Sequence, residues 1–219
     1  MNNAPEASSD APATQAGEGG AAPTLALQDM RVLKIGKADC ANVLRDHHYL
    51  SSRSRGFKTG YNYGAVFGGR VMGCVIFTAP PVPEVVQGAF GLGRGEQAGI
   101  FELSRLCLLP SVQVSGGNVA SRFVSIAIRL LRKDTGVRAI LSYADSDFHH
   151  GTIYRALGFQ YYGLTDAKKD FWIKTPDGFK KHSRGKVLGV DGEWRPRSRK
   201  HRFLKVFDPT MRVFWNRCS

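Results

Sequence analysis

The chain has 219 residues, 42% of them hydrophobic, which is enough for one sizeable core, and no apolar run approaches the ~20 residues of a membrane span. Its formal charge of +13 and isoelectric point near 9.9 favour a polyanionic partner, with a merely soluble basic surface as the alternative. The four cysteines include no C-x-x-C pair, which argues against a zinc ribbon. Because the amino terminus lacks a secretory signal and the cysteines are not paired in sequence, we expect a cytoplasmic protein.

The first segment differs in composition from the rest of the chain. Residues 1–30 hold four acidic residues and no lysine or arginine, so the remaining residues carry +17. Residues 1–27 are rich in Ala, Pro, Gly and Ser, and such a segment cannot offset the entropy lost on ordering. We therefore predict a disordered acidic tail over residues 1–27, a folded core over residues 28–164 and a basic extension over residues 165–219.

The first helix is predicted over residues 37–50. Cys40, Val43, Leu44 and His47 recur at the intervals of one helix face. Asp39 precedes this apolar series and is a plausible N-cap.

A β-hairpin is predicted over residues 60–80. Two β-rich runs flank Gly68 and Gly69, a pair that suits a two-residue primed turn. The Gly-rich residues 84–99 lack the strand-before, helix-after context of a phosphate loop. We interpret them as a flexible lid or connection.

A strand with an irregularity is predicted over residues 101–110, "FELSRLCLLP". Phe101 and Leu103 keep one alternating phase, whereas Leu106 and Leu108 keep the opposite phase. This one-residue slip predicts a β-bulge near Ser104 and Arg105, and bulges often redirect a side chain beside a functional site. A strand buried on both faces is the alternative.

The next elements are a long helix, a strand, a short helix and a strand. Asn118 can cap the long helix, and Gly158 ends the short helix, "GTIYRALGF". The apolar stripe of the long helix consists of Phe123, Ile126, Ala127, Leu130 and Leu131.

The basic extension has 15 Lys/Arg against 6 Asp/Glu, interleaved with large aromatic residues. The pattern has little helical period, so we predict a β-rich extension that contacts double-stranded DNA. Arginine and lysine neutralise phosphates and fix register without reading sequence. A disordered basic tail is the alternative. The predicted DNA contacts are Arg195, Arg197, Arg199, Lys200 and Arg202.

Two known families share motifs with this chain. The stretch "GTIYRALGF" is similar to the A-x-x-L-Y-x-x-x-G-F ending of the GNAT acyltransferases. In order, "DHHYL", "FELSRLCLLP", "SYAD", "GTIYRALGF" and "RPRSRKHRFLKVF" resemble the phage Mom family over residues 28–207. The resemblance implies an α/β (α+β) fold of the GNAT type, with a mixed, mostly antiparallel sheet flanked by helices.

The resemblance also implies an activity. Members of the Mom family convert adenine in phage DNA to N6-carbamoylmethyladenine, which shields that DNA from host restriction. A GNAT enzyme carries R/Q-x-x-G-x-G/A before its long helix to hold the CoA pyrophosphate, whereas this chain has "LLPSVQVSGGNVAS". The donor implied is therefore a glycyl group, for example on an aminoacyl-tRNA, with acetyl-CoA as the alternative. An iron ion is also compatible with the resemblance.

Site residues follow from the resemblance and from local position. A tyrosine at the place of Tyr154 often protonates the leaving thiolate in GNAT enzymes. His48 is a candidate general base, or a metal ligand together with Tyr49 and Asp145. The candidate catalytic residues are His48, Tyr49, Ser104, Arg105, Asp145 and Tyr154. The candidate donor- or substrate-binding residues are Tyr63, Glu102 and Ser121.

Each candidate has a structural alternative. His48 would close a helix C-terminus, Arg105 would pair with Glu102, and Asp145 would cap the following turn. Tyr63 would be a core aromatic. Two other function classes stay open: a conventional acetyl-CoA-dependent N-acetyltransferase, and a DNA-binding protein without enzymatic activity on a GNAT scaffold.

Overall fold

The computed structural model describes residues 26–47, 57–113, 118–182 and 187–218, which contain one large and one small β-sheet. The strands of the large sheet are β1 (Arg31–Lys34), β2 (Tyr61–Phe67), β3 (Arg70–Thr78), β4 (Ile100–Leu108), β5 (Ala139–Asp145), β6 (Gln160–Leu164) and β10 (Lys200–Val206). Their spatial order is β1-β2-β3-β4-β5-β10-β6. The pairing of β4 with β5 is parallel and every other pairing in this sheet is antiparallel.

Helices cover both faces of the large sheet. They are α1 (Lys37–His47), α2 (Pro83–Phe90), α3 (Pro110–Gln113), α4 (Val119–Asp134) and α5 (Thr152–Ala156). Phe123 of α4 and Tyr154 of α5 belong to the main core cluster on one face. Val86 of α2 and Leu44 of α1 belong to two smaller clusters on the opposite face. Among the described residues, no helix is long and apolar enough to cross a membrane.

The predicted hairpin and the β-bulge are confirmed. Gly68 and Gly69 connect β2 to β3 with φ angles of 52° and 81°, a backbone conformation that residues other than glycine rarely adopt. Ile76 of β3 faces Arg105, and the next residue of β3 faces Leu103, so Ser104 is the extra residue on β4. The phase slip in the apolar pattern therefore did indicate a bulge.

The helices differ from the sequence pattern in detail. Asp39 lies in the first turn of α1 rather than at its cap, and its side chain accepts the backbone N–H of Gly36 at 3.0 Å. His47 is exposed, although it shares the spacing of the buried Cys40 and Leu44. Asn118 is the N-cap residue of α4, but its side chain makes no cap hydrogen bond.

The interpretation of residues 84–99 as a flexible connection is wrong for their first half. Pro83 begins α2 and Gly91, with φ of 72°, ends it. Proline at the first helical position and glycine just past the last one are ordinary helix boundaries. Val86 and Ala89 of α2 are fully buried against the large sheet. Burial of this apolar face outweighs the intrinsic helix-breaking cost of Gly88.

The basic extension is β-rich as predicted, but it is not a separate unit. A small antiparallel sheet, in the order β8-β7-β9, consists of β7 (Lys169–Thr175), β8 (Gly178–Lys181) and β9 (Gly192–Pro196). The chain then returns, and β10 inserts between β5 and β6 of the large sheet. Phe203 and Leu204 of β10 are fully buried there. The predicted division after residue 164 therefore cuts through one hydrophobic core.

We expect Gly151→Ala to destabilise the fold by about 1–3 kcal/mol. Gly151 precedes α5 with φ of 74°, and a Cβ there would lie 2.3 Å from two ring carbons of Phe203. Gly136→Ala is the matched control, because Gly136 is exposed and its Cβ would meet open space. Urea unfolding of both variants measures the difference. Equal stability of the two variants would contradict the predicted strain.

Candidate functional site

The main cavity opens where the parallel strands β4 and β5 separate. The two strands pair only from Ile100 and Ala139 to Leu103 and Ser142. Beyond this point lies a cavity of about 550 Å³, here named the cleft cavity, between the end of β4, the end of β5 and residues 148–154. Its volume lies within the usual range of small-molecule sites. Glu102, Ser104, Arg105, Tyr143, His150, Tyr154 and Lys200 are among its lining residues.

The bulge determines how β4 lines the cleft cavity. Ser104 Oγ donates a hydrogen bond to the carbonyl of Ile76 at 3.2 Å. Arg105 donates from its guanidinium to the carbonyl of Ser104 at 2.6 Å. Among the described residues, Arg105 has no ion pair with Glu102, so the salt-bridge alternative is not observed. The bulge thus places both Ser104 and Arg105 in the lining of the cleft cavity.

The short helix α5 positions Tyr154 at the cleft cavity. The ring of Tyr154 is 8% exposed and packs against Phe203 and Phe159, with ring centroids 5.1 and 5.7 Å apart. Gly151 allows the sharp entry into α5 through its positive φ. His150 and Thr152 line the same wall. This arrangement fixes the tyrosine rigidly through aromatic packing.

A second cavity of about 390 Å³, here named the basic cavity, lies toward the α2 side of the sheet. Its wall includes Val85 of α2 and Trp215 from the segment after β10. The charged residues that line it are Glu102, Asp166, Lys168, Arg197, Lys200 and Arg202.

Three residues line both cavities: Glu102, Tyr143 and Lys200. Burial raises the pKa of the Glu102 carboxyl, and the nearby Lys200 and Arg105 charges partly offset this rise. Burial also raises the pKa of the Tyr143 phenol, and the negative charge of Glu102 raises it further. Tyr143 therefore stays a proton donor at neutral pH, whereas Glu102 is a stronger base than an exposed glutamate.

Asp145 caps the turn that follows it, which is the structural alternative to a catalytic role. Its side chain accepts hydrogen bonds from the hydroxyl of Ser198 and from the backbone N–H of Asp147, the latter at 3.2 Å. Its carbonyl accepts the backbone N–H groups of Phe148 and His149. Asp145 thus organises the turn that leads to the cleft cavity and does not line either cavity.

Tyr63 lies in the core rather than at a cavity. It is fully buried, and its hydroxyl donates to the Asp134 carboxylate at 3.1 Å, which also pairs with Lys34 at 2.9 Å. Burial and this carboxylate raise the pKa of Tyr63. The sequence analysis predicted that Tyr63 contacts the donor or the base. The structure corrects this prediction, because α4 and the sheet enclose the ring.

We expect Tyr63→Phe to lower stability by about 1.5–3 kcal/mol, the range for a lost hydrogen bond to a charged group. The transfer rate and the KM values should stay unchanged, because the phenol touches neither cavity. Urea unfolding and initial rates on the same preparation measure both effects. A raised KM for the donor would restore Tyr63 as a binding residue.

The predicted DNA-binding cations are engaged in several ways. Arg195 packs over the rings of Phe179 and Trp172, at 4.1 and 5.1 Å from their centroids. Arg199 donates to the carbonyl of Thr165 at 2.7 Å. The side chain of Arg197 is half exposed beside the small sheet. Lys200 and Arg202, on β10, line the basic cavity. These five residues therefore do not form one uniform surface.

Comparison with known proteins identifies the family. The model of the Mom protein family matches residues 29–214. The chain belongs to the Mom protein family. No curated protein sequence matches the chain significantly.

The similarity to one solved structure, at a TM-score of 0.50, supports a GNAT acetyltransferase fold for this Mom family member. It is similar to the Drosophila melanogaster polyamine N-acetyltransferase, with 14% identity over 82% of this chain and 100% of the other, at a TM-score of 0.50. A Bacillus subtilis acetyltransferase solved with CoA has 13% identity over 81% and 99%, at a TM-score of 0.49. The Escherichia coli ribosomal-protein-S18-alanine N-acetyltransferase has 12% identity over 82% and 94%, at 0.48.

Two of the three predicted metal ligands, His48 and Tyr49, lie outside the described residues, so their predicted roles stay predictions. The third, Asp145, already accepts two hydrogen bonds. The parts of the chain with a described structure contain no group of three His, Cys, Asp or Glu residues suited to an ion.

Ser121 gains no support as a donor-binding residue. Its hydroxyl donates to the carbonyl of Asn118 at 2.9 Å, as an ordinary helix-start serine does. It lines neither of the two cavities.

Tyr143 and Trp215 are among the residues at the site that were not predicted. Tyr143 lies two residues before the predicted site residue Asp145 on a recognisable strand, so the two share a face of the sheet. The stretch "SYAD" therefore already indicated that Tyr143 lies near the site. Trp215 lies 72 residues after Tyr143 in the chain, and no local pattern indicates that it reaches the basic cavity.

Proposed function

We propose that this chain transfers a glycyl group to N6 of adenine in phage DNA, which leads to N6-carbamoylmethyladenine and protects the DNA from host restriction. It would act in the host cytoplasm on double-stranded DNA, with an aminoacyl-tRNA as a suitable donor. Membership of the Mom protein family supports the class of reaction. The observation that carries the proposal is that two cavities meet at Glu102 and Tyr143.

Two cavities that share a junction suit a reaction between two substrates. A donor in the cleft cavity and an amine from the basic cavity would approach each other beside Glu102 and Tyr143. Such an arrangement replaces a bimolecular encounter with a positioned one. Two adjoining cavities can hold two substrates at once, which favours group transfer over DNA binding alone.

Adenine N6 needs activation because its lone pair is delocalised into the purine ring. In the proposed reaction, Glu102 accepts a proton from N6 as N6 attacks the donor carbonyl, and its raised pKa makes it an effective base. Tyr143 donates a hydrogen bond to the oxygen that gains negative charge. Tyr154, on the opposite wall of the cleft cavity, gives a proton to the leaving oxygen.

The atoms balance for a glycyl ester donor. The N6–C bond forms, the ester C–O bond breaks, and the leaving oxygen takes a proton, which gives N6-glycyladenine. N6-carbamoylmethyladenine is an isomer of this amide. Attack of the glycyl amine on purine C6, followed by departure of the original N6 as the amide nitrogen, converts one isomer into the other. No oxidant or reductant is needed.

The extension supplies groups for binding DNA. Its small sheet carries lysines and arginines beside exposed aromatic rings, which suits phosphate contact and base stacking. Trp194 and Phe179 are 56% and 41% exposed. The cations of this sheet are Lys169, Lys174, Lys180, Lys181 and Arg195.

Mass spectrometry of nucleosides from DNA of cells that express the chain tests the proposal. We expect a deoxyadenosine that is heavier by one glycyl residue, matched by chromatography to synthetic standards of both isomers. Acid hydrolysis separates them further, because the amide releases glycine and the N-alkyl bond survives. An acetyl-sized increment would instead favour an acetyl-CoA-dependent enzyme, and unmodified DNA from well-expressed protein would contradict the proposal.

A further inference from the structure

The basic cavity has the composition of an anion site. Lys168, Arg197, Lys200 and Arg202 line it against two carboxylates, Glu102 and Asp166. The pKa of Glu102 is raised by burial, and Asp166 is exposed. Four cations therefore outnumber two carboxylates in the lining of the cavity, and its rim cations Lys168 and Arg197 are exposed to solvent.

Arg202 lines this cavity with its guanidinium held against an aromatic ring. The guanidinium stacks on the Trp215 ring at 4.7 Å from the centroid, and Trp215 in turn packs on Tyr162 at 6.2 Å. The stacked arginine therefore adds a positioned positive charge to the cavity wall, which suits an anionic ligand.

The distance across the sheet suggests the size of that ligand. Arg202 pairs directly with Tyr143, and Glu102 lies on the next strand beyond it. Glu102 pairs with Leu141, two residues from Tyr143, so two strand spacings and this offset separate the backbones of Glu102 and Arg202 by about 12 Å. This distance is comparable with the span of a purine nucleotide from its 6-amino group to its 5′-phosphate. The cavity volume of about 390 Å³ is also suitable for one such nucleotide.

We propose that the basic cavity binds an extrahelical deoxyadenosine nucleotide, with its 5′-phosphate on Arg202, Arg197 and Lys168 and its 6-amino group at Glu102. This inference rests on the proposed function, since an enzyme that modifies N6 inside a duplex must bring the base out of the stack. Trp215 holds the Arg202 guanidinium in place from behind. It thereby makes this arginine a positioned phosphate ligand rather than a mobile surface charge.

Binding of deoxyadenosine 5′-monophosphate to the full chain tests the inference. In a Trp172→Phe/Trp194→Phe background, Trp215 is the remaining tryptophan. We expect the nucleotide to change Trp215 fluorescence saturably and deoxyadenosine, which lacks the phosphate, to bind at least about tenfold more weakly. Excitation at the red edge of the tryptophan band avoids absorption by adenine.

Arg202→Gln should raise the nucleotide Kd about tenfold or more. The matched control is Arg212→Gln, because Arg212 also stacks on an aromatic ring, Phe214 at 5.0 Å, but lines neither cavity. Lys168→Gln and Arg197→Gln change exposed side chains, so neither substitution should disturb folding of the core. Each should weaken nucleotide binding. Absence of saturable binding, or equal Kd values for Arg202→Gln and Arg212→Gln, would overturn the inference.

The two proposals fail in different measurements. Nucleotide binding requires no catalysis, so it can be positive even when DNA is not modified, which would refute only the proposed function. Conversely, an Arg202→Gln enzyme that modifies DNA with unchanged KM would leave the proposed function intact and remove the basic cavity as the nucleotide site.

Discussion

Glu102→Gln should reduce the rate of DNA modification by about 10²–10⁴-fold, the usual contribution of a general base. The amide keeps the size and shape of the side chain but cannot take a proton from adenine N6. Because Glu102 lies where the two cavities meet, both substrates should still bind. Single-turnover rates at saturating DNA and donor measure the chemical step without the contribution of binding.

The pH dependence gives an independent test of Glu102. A base is active when deprotonated, so the wild-type rate should rise with pH through the raised pKa of Glu102. This acid limb should lie at higher pH than for an ordinary glutamate. The residual rate of the Gln variant should lack it. A limb that persists in the variant would assign the titration to another group.

Stability separates a catalytic role of Glu102 from a structural one. A carboxyl whose folded pKa is raised stabilises the fold below its unfolded pKa, and this stabilisation is lost as pH rises through the folded pKa. At neutral pH the buried charge therefore opposes folding. Glu102→Gln should be at least as stable as the wild type there. Glu84→Gln is the control, because Glu84 is exposed and pairs with Arg94 on the surface.

Local sequence signals predicted the elements around the site because their causes are local. The phase slip around Ser104 results from the two-residue period of a strand, and it revealed the bulge correctly. Gly68 and Gly69 fixed the hairpin through their backbone freedom. Pro83 and Gly91 carried the same kind of information for α2. The several glycines over residues 84–99 nevertheless suggested a connection, because burial against the sheet was not visible in the sequence.

The basic cavity could not be predicted because distant segments form it. β10 inserts between β5 and β6, and this places Arg202 opposite Tyr143 across 59 residues of chain. The alternation within "RKHRFLKVF" shows which residues share a face but not which strand they join. Tyr63 illustrates the converse error, since a β-strand tyrosine faces core or ligand according to the layer that covers it, and here α4 supplies that layer.

Tyr154→Phe should lower DNA modification by at least about 10²-fold while DNA binding stays intact. The ring lies between Phe159 and Phe203, so phenylalanine keeps the aromatic packing. Stability should change by no more than about 1.5 kcal/mol, the worth of one hydrogen bond. Tyr161→Phe is the matched control, because that hydroxyl contacts His201 Nδ1 at 2.9 Å and Tyr161 does not line the cleft cavity.

The leaving group provides the sharpest test of Tyr154. If its phenol protonates the departing oxygen, a donor ester with a more acidic leaving alcohol needs that proton less. The defect of Tyr154→Phe should then shrink as the pKa of the leaving alcohol falls, whereas a mere loss of positioning would give the same defect for every donor. Full activity of the variant with the natural donor would instead place the acid elsewhere, and Arg105 and His150, which line the same cavity, would be the next residues to substitute.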